Sequence, residues 1–509
     1  MFKRLNSYID SVTMYRLIFY ALSILAIFAL LFGFLGVIPF SGSSLSLSLA
    51  TLFFVCVVSN RFLGRLTKAS VNLESDAITA LILFFVLTPV IGTLALAKLT
   101  VVATLAIASK YLIAWRGKHL FNPAALGAVI AGVIGFGASS WWVSLSPLLY
   151  ISLVLGLLIV KKIRRFPMVI AFAVSVLSIS LVTSAFSGMP PSRFLFLVPA
   201  QIFTVWPLIF LGMFMLTEPL TTPPTSGKRL VYGILVGALF GFPTHVGGVY
   251  LTPELALVIG NLFSFFVSFK GRIELTFIEK KKLAPSIYEF VFRAKQHLHF
   301  KAGQYLEWTF PHERPDARGY RRYFTIASSP TEQEIRVGMK VTESGSSSFK
   351  HHLLALTPGT RMIAGQLGGE FVLPKKSSEK LVFIAGGIGV TPFRSMIKEM
   401  VDTKQSRDIV LFYTCLDASE FVYKEIFDEA APLGLKTVYV LTRSDSVPAG
   451  SSFKTGFIDK ALLSSQVLDF EHCTYYLSGP PSMVRAYKKL VRSLGVPLSR
   501  IKTDYFAGY

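Results

Sequence analysis

Cysteine is nearly absent. The 509 residues contain three, Cys56, Cys415 and Cys473, and no CxxC pair. Three thiolates cannot ligate an iron–sulfur cluster that needs four, so this chain's own cysteines exclude one. Charge is scarce as well: 16% of residues are charged and 52% are hydrophobic, where soluble domains carry roughly 25% charged. Lipid must therefore solvate part of the chain. Acidic residues are the rarer sign, 29 against 51 Lys and Arg, giving a formal net charge of +22. Much of that excess stands at the ends of apolar segments, where it faces headgroups, so a nucleic-acid partner is not expected. Histidine is sparse in the apolar half, with only His119 and His245, both near the ends of apolar stretches. Haem within a bundle needs stacked histidine pairs, so haem is excluded, and no metal site is expected.

What is abundant is long apolar sequence. Ten stretches of spanning or near-spanning length fall at about 15–39, 44–62, 76–92, 94–114, 121–138, 143–160, 166–186, 194–216, 229–243 and 252–270. The ninth is short. The basic start "MFKRLNSYIDSVTMYR" leads into the first without a small-residue cleavage site, which reads as an uncleaved span. Every second connection is basic: Arg61, Arg65 and Lys68, then Lys110, Arg116 and Lys118, then Lys161, Lys162, Arg164 and Arg165, then Lys228 and Arg229, then Lys270 and Arg272. The intervening loops hold one Arg, Arg193, and no Lys. This alternation predicts ten spans in a cell (inner) membrane, with both termini in the cytoplasm. Lys98, near the outer end of the fourth stretch, is read as snorkelling.

Polar residues recur in the two halves of this region. Asp76 and Asn122 are 46 residues apart, and Glu218 and Asn261 are 43 apart. An odd helix count per half would make the repeat inverted, with polar residues meeting near the centre. Helix capping accounts for "SDAIT" and "TEPLTTP" equally well.

"SKYLIAWRGKHLFNPAALGAV" and "MFMLTEPLTTPPTSGKRLVYGILVGAL" resemble the membrane flavoprotein subunits of sodium-pumping NADH:quinone reductase and Rnf complexes (NqrB/RnfD) over about 70–270. The resemblance implies a ten-helix inverted-repeat bundle carrying flavin, near Asp76, Asn122, Glu218 and Thr221. Members of that family usually esterify FMN to the Thr of an "SGAT" motif. This chain has only "GFGASSWW", where Ser139 is the substitute candidate and a Ser-rich turn capped by interfacial tryptophans is the alternative. FMN or another flavin held without a covalent link is the expectation.

Beyond Arg272 the texture changes. Alternating segments such as "IELTFIEKKKLAPSIYEFVFRA", with turn signals at Gly303, Gly319, Gly345 and Gly359, predict a small antiparallel barrel over 273–374. After Lys375, strand and helix patterns alternate to 509, predicting a doubly wound parallel sheet. The three predicted domains are thus 1–270, 273–374 and 375–509. "RYFTIAS" (322–328), "ESGSSSFKHHL", "GGIGVTP" (386–392), "LSGPPSM" (477–483) and a terminal aromatic, in that order, resemble the ferredoxin–NADP reductase superfamily. The resemblance assigns FAD binding to Arg322, Phe324, Thr325, Ser328, Gly345, Ser347, Ser348, Lys350 and Tyr509. It assigns NAD(P) binding to Gly386, Gly387, Gly389, Thr391, Pro392, Ser478, Gly479, Pro480, Pro481 and Met483. Thr325, Ser478 and Tyr509 would border the reacting rings. Ser478 stands where that family has Cys, and Phe324 where it has Tyr. A lone Arg443 after the third strand leaves NADH and NADPH both open.

A flavin accepts two electrons as hydride and releases them singly, which suits a junction between NAD(P)H and a one-electron path. The expected function is a membrane-bound NAD(P)H-oxidising flavoprotein reductase. Electrons would pass from FAD to a flavin in the bundle, then to quinone or an extracytoplasmic acceptor. The alternatives are a transporter or channel with a redox-sensing flavin domain, and a cytoplasmic reductase that the bundle only anchors.

Overall fold

The computed structural model describes residues 12–67, 73–115, 118–135, 139–187, 190–204, 206–242, 245–246, 249–268, 273–312, 320–342, 346–443 and 453–504. The chain divides into two compact units at Ser268/Phe269.

The first unit is helical. Its helices are α1 (Met14–Phe34), α2 (Gly42–Leu66), α3 (Leu73–Val86), α4 (Thr93–Leu112), α5 (Pro123–Val133), α6 (Leu148–Ile163), α7 (Phe166–Phe186), α8 (Pro191–Thr204), α9 (Leu208–Met215), α10 (Ser226–Gly241) and α11 (Pro253–Val267). Local chemistry sets several starts. Thr13, Ser41 and Thr252 cap α1, α2 and α11 by accepting a backbone N–H with their hydroxyls, and Asn122 caps α5 with its side-chain oxygen. Each apolar stretch of the sequence contains a helix. Among the described residues, α1, α2, α4 and α7 are long and apolar enough to cross a membrane, and a fifth span results if α8 and α9, bent by 60°, count as one. Helices α5 and α11 are apolar but shorter. Two short β-hairpins, Ala114–Trp115 with Lys118–His119 (β1, β2) and His245–Val246 with Val249–Tyr250 (β3, β4), follow α4 and α10.

Helices α7 and α10 pack through a stripe of glycines. A Cβ on Gly233, Gly237 or Gly241 would lie 2.5, 2.5 or 2.7 Å from the carbonyl oxygen of Met168, Phe172 or Val176. The spacing of four puts the three on one helix face, so the backbones meet directly, as small residues permit in apolar surroundings.

The second unit holds two sheets. The antiparallel one has the order β8–β7–β10–β5–β6–β9, formed by β5 (Ile273–Ala284), β6 (Ile287–Ala294), β7 (Tyr305–Thr309), β8 (Arg321–Thr325), β9 (Ile335–Lys340) and β10 (Arg361–Gly368). Ile273, Leu275 and Phe277 alternate inward with Glu274 and Thr276 outward, and they pack on Phe290, Phe292 and Trp308. The Ala327 N–H donates to the Arg336 carbonyl, linking the chain beyond one edge strand to the other edge.

The second sheet is wholly parallel, in the order β14–β13–β12–β11–β15–β16, from β11 (Leu381–Gly386), β12 (Ile409–Cys415), β13 (Leu435–Leu441), β14 (Lys454–Thr455), β15 (Thr474–Ser478) and β16 (Ile501–Thr503). Strands β11 and β12 are buried throughout, with one core behind Leu381 and Phe383 and another behind Val382 and Ile384. Both faces being covered explains their unbroken apolar sequence.

Candidate functional site

The parallel sheet winds from β11 outward through β12, β13 and β14, then returns to β15 on the other side of β11. Ligands in such sheets bind at the carboxyl ends of the strands flanking this reversal. "GGIGVTP" leaves the end of β11 and "SGPPSM" the end of β15, with Ala385 opposite Ser478. The two loops touch. A Cβ on Gly389 would lie 2.6 Å from the Gly479 Cα, and one on Gly386 would lie 2.2 Å from the Met483 Sδ and 3.2 Å from the Pro480 Cδ. Only glycine permits that approach, whereas Gly387, at φ +53°, faces open space.

Two helices, α13 (Thr391–Asp402) and, beyond α14 (Lys424–Ala430) and α15 (Lys460–Gln466), α16 (Pro481–Ser493), start at this spot, neither with a side-chain cap. The start of α16 is therefore open to an anion such as a dinucleotide pyrophosphate, whereas the Thr391 N–H at the start of α13 donates to the Ile388 carbonyl. Pro392 and Pro481 stand in the first turns, where a missing N–H costs nothing. Thr391 donates its hydroxyl to the Ile388 carbonyl at 3.2 Å, closing the loop. Ser478 is buried and donates to the Asp504 carboxylate at 3.3 Å. Next to the loop, burial raises the Cys415 thiol to about 12, so it stays protonated and inert.

On the antiparallel side, Arg322 is buried with its guanidinium 5.4 Å from the centre of the Phe349 ring, and Phe324 packs on the same ring at 5.8 Å. Thr325 ends β8 and is buried. The Ser328 hydroxyl accepts the Arg336 N–H at 3.1 Å. Ser347 caps α12 (Ser348–Leu354) by accepting the Lys350 N–H at 3.3 Å, the ordinary capping role. Ser348 shares a hydrogen bond of 3.0 Å with the His312 ring, and the Lys350 ammonium donates to the Lys340 carbonyl at 2.9 Å. Gly345 and Tyr509 lie outside the described residues. Arg322 thus lies over the ring of Phe349, in the first turn of α12, a cationic setting that fits a pyrophosphate.

In the helical unit the structure unites some candidates and separates others. Asn122 Nδ2 donates to Glu218 Oε2 at 2.9 Å, Thr221 donates to the same oxygen at 3.2 Å, and the His119 ring meets Oε1 at 3.0 Å. The Asn122 backbone N–H donates to Asn261 Oδ1 at 2.8 Å, and Asn261 donates to the Tyr232 hydroxyl at 2.9 Å. Asn122 is therefore both cap and crosslink, and Glu218 is a network centre that starts no helix. Asp76 joins another cluster, paired with Lys110 at 3.4 Å and with Asn60. Beside the first network lies a small cleft of about 30 Å³, room for a water or two. Glu218, Asn122 and Ser75 supply its polar groups, and Tyr15, Ile18 and Phe214 are among its less polar walls. Ser139 belongs to neither cluster: its hydroxyl bonds Glu254, whose second oxygen accepts the Trp141 indole N–H at 3.1 Å. That pairing occupies the Ser139 hydroxyl.

Sequence reading missed Arg394, Ser395, Glu332, Asn60 and Glu254. Arg394 sits directly after "GGIGVTPF", so its place beside the loop was visible, but nothing in the sequence identified Glu332 as its partner.

Comparison with known proteins bears on the second unit. Residues 383–489 match the oxidoreductase NAD-binding domain. Over 265 residues the chain is 28% identical to the F component of the Na(+)-translocating NADH-quinone reductase of Actinobacillus pleuropneumoniae serotype 5b, covering 46% of this chain and 64% of that relative. It is 29% identical over 213 residues to the phenol hydroxylase P5 protein of Acinetobacter pittii, covering 42% of this chain and 59% of that protein. Among solved structures, the cytochrome P450 reductase GcoB of Amycolatopsis aligns at 24% identity and a TM-score of 0.41, over 46% of this chain and 70% of that one. The chain thus spans less than two thirds of the length of these curated relatives. What the comparisons establish is an oxidoreductase NAD-binding domain over 383–489, within a carboxyl-terminal region similar to the F component of the NADH-quinone reductase.

Proposed function

We propose that this protein is a multi-pass membrane flavoprotein reductase. Its second unit binds FAD and oxidises NAD(P)H in the cytoplasm, and its helical unit, NqrB/RnfD-like with ten spans, carries electrons onward through a second flavin. The observation that carries the reading is the meeting of the glycine loop and "SGPPSM" at the sheet's reversal, beside two uncapped helix N-termini. The oxidoreductase NAD-binding match and the likeness to a component of an NADH-quinone reductase support it.

When bound, FAD supplies a two-electron acceptor that can release electrons one at a time. The chain's own residues do the rest. Gly386, Gly389 and Gly479 let the two loops meet, Gly387 keeps a side chain out of the open space where the dinucleotide would lie, and the first turns of α13 and α16 hold its phosphates. Ser478 and Asp504 fix the nicotinamide end. Arg322 neutralises the FAD pyrophosphate, Phe324 offers a packing surface, and Thr325 and Ser328 place hydroxyls near the ring. Tyr509 would shield its other face.

In the helical unit the second flavin is placed beside the network of Asn122, Glu218 and Thr221, where the small cleft would have to open to admit its ring. The second flavin is proposed to be held without a covalent link, the Ser139 hydroxyl being bonded to Glu254. The onward acceptor is proposed to be quinone or a molecule on the extracytoplasmic side.

Flavin content tests this reading. The purified full-length protein should contain two flavins per chain, and the chain lacking 273–509 should retain one. A single flavin, lost entirely on that truncation, would leave the bundle as an anchor only.

A further inference from the structure

We propose that Arg394 is a positioning residue that fixes the distance between the flavin-side and nicotinamide-side loops. The inference rests on reading the second unit as an NAD(P)H-oxidising flavin reductase. Arg394 lies in the first turn of α13, three residues after Thr391 closes the glycine loop. Its Nη1 donates to the Ala327 carbonyl at 3.1 Å, and both Nη atoms engage the Glu332 carboxylate, Nη2 meeting Oε1 at 3.0 Å. Glu332 also accepts the Ser329 N–H at 2.7 Å and pairs with Arg336 at 3.2 Å. The next residue, Ser395, donates to the Ser328 carbonyl at 2.6 Å.

Two adjacent side chains of the nicotinamide-side helix therefore grip two adjacent carbonyls of the loop that leaves Thr325. Arg394 is only 5% exposed, and its guanidinium lies 5.7 Å from the centre of the Tyr423 ring. A buried cation is a costly way to fill a core, and apolar side chains usually do so at least as well. What arginine adds is a planar fork that holds several points at once in fixed geometry. Here those points belong to both sides of the site, so residues 326–329 cannot shift relative to 389–391 without breaking them. Arg394 exchanges neither proton nor electron in the transfer of hydride from nicotinamide C4 to flavin N5, in which the dinucleotide is oxidised and the flavin reduced. It sets the approach of the two rings.

The test uses the full-length protein with R394Q, R394K and S395A, each read by flavin reduction in stopped flow with NADH and by hydrogen–deuterium exchange of 326–333. Displacement of reacting groups by about 1 Å costs on the order of a hundredfold in rate. R394Q should slow flavin reduction by at least about tenfold, with FAD content and NADH affinity within about twofold of the parent, and exchange in 326–333 should rise. R394K should recover part of the rate. If R394Q does not fold, S395A, which removes one grip, should show the same pattern more weakly. An unchanged reduction rate, unchanged exchange in 326–333, or slowing only in proportion to lost FAD would overturn the proposal. A parent protein that neither binds FAD nor oxidises NAD(P)H would instead overturn the functional reading beneath it.

Discussion

Gly389 and Gly479 stand so close that a Cβ on the first would come within 2.6 Å of the Cα of the second. The obstruction is backbone and cannot swing away. Gly389→Ala should therefore spread the two loops and weaken NADH binding by roughly tenfold or more, a loss of about 1.4 kcal/mol. Titration of the oxidised protein with NAD+ measures it.

At Gly386 the obstruction is mainly the Met483 thioether, a flexible side chain, with Pro480 behind it. Gly386→Ala should impair binding less than Gly389→Ala, and Met483→Ala should restore part of the loss. The pair would then be non-additive by about 0.5 kcal/mol or more, as contacting residues are. A double-mutant cycle on NAD+ affinity shows whether the contact is the cause.

The α7–α10 seam gives a stability prediction. Gly237→Val would force a side chain against the Phe172 carbonyl and should destabilise by about 1–3 kcal/mol, the range for overpacking. Gly227, in the first turn of α10, has open space around it. Gly227→Ala should be neutral or stabilising by up to about 1 kcal/mol. Thermal unfolding in detergent compares the two.

Glu218 centres the polar network, so Glu218→Leu would strand the groups of Asn122, Thr221 and His119. Each buried unsatisfied group costs about 1–3 kcal/mol. Glu218→Gln keeps an acceptor and should lose less. Melting temperature and bound flavin, measured together, should fall in the order parent, Gln, Leu.

The second unit should also lose stability in acid. Burial alone would raise the Asp402 carboxyl, but hydrogen bonds from Lys398 and Thr331, with the Lys398 charge, hold it below its usual value. A depressed carboxyl stabilises above its unfolded value of about 3.9 and loses that contribution as pH falls through the folded one. Asp402 is partly exposed, so the effect is small. Asp402→Asn should flatten the pH dependence of unfolding below about pH 4 and change little at pH 7.

Some of this was legible in the sequence for a physical reason. The glycines of "GGIGVTP" and "SGPPSM" pointed to a close backbone approach at 386, 389 and 479, so the two loops at the sheet's reversal could be read without coordinates. Alternating and continuous apolar runs marked the strands of the two sheets. Pairings across distance were not legible. Ser139 with Glu254 is separated by 115 residues and Arg394 with Glu332 by 62. A carboxylate carries no mark of which distant partner it meets. Asp76 looked equivalent to Glu218 by spacing, yet neighbouring helices give it Lys110 and Asn60 while Glu218 receives His119 and Asn122. Asn122 both caps α5 and joins the Glu218 network.

On the proposed function, electrons enter at the glycine loop and leave through the bundle. Sealed vesicles loaded with NADH, holding the protein with its second unit inside, test it with an impermeant external acceptor. The expected outcome is external reduction matched to internal NADH oxidation and lost with Glu218→Leu. NADH oxidation that reduces only an acceptor enclosed with it, and never the external one, would contradict it.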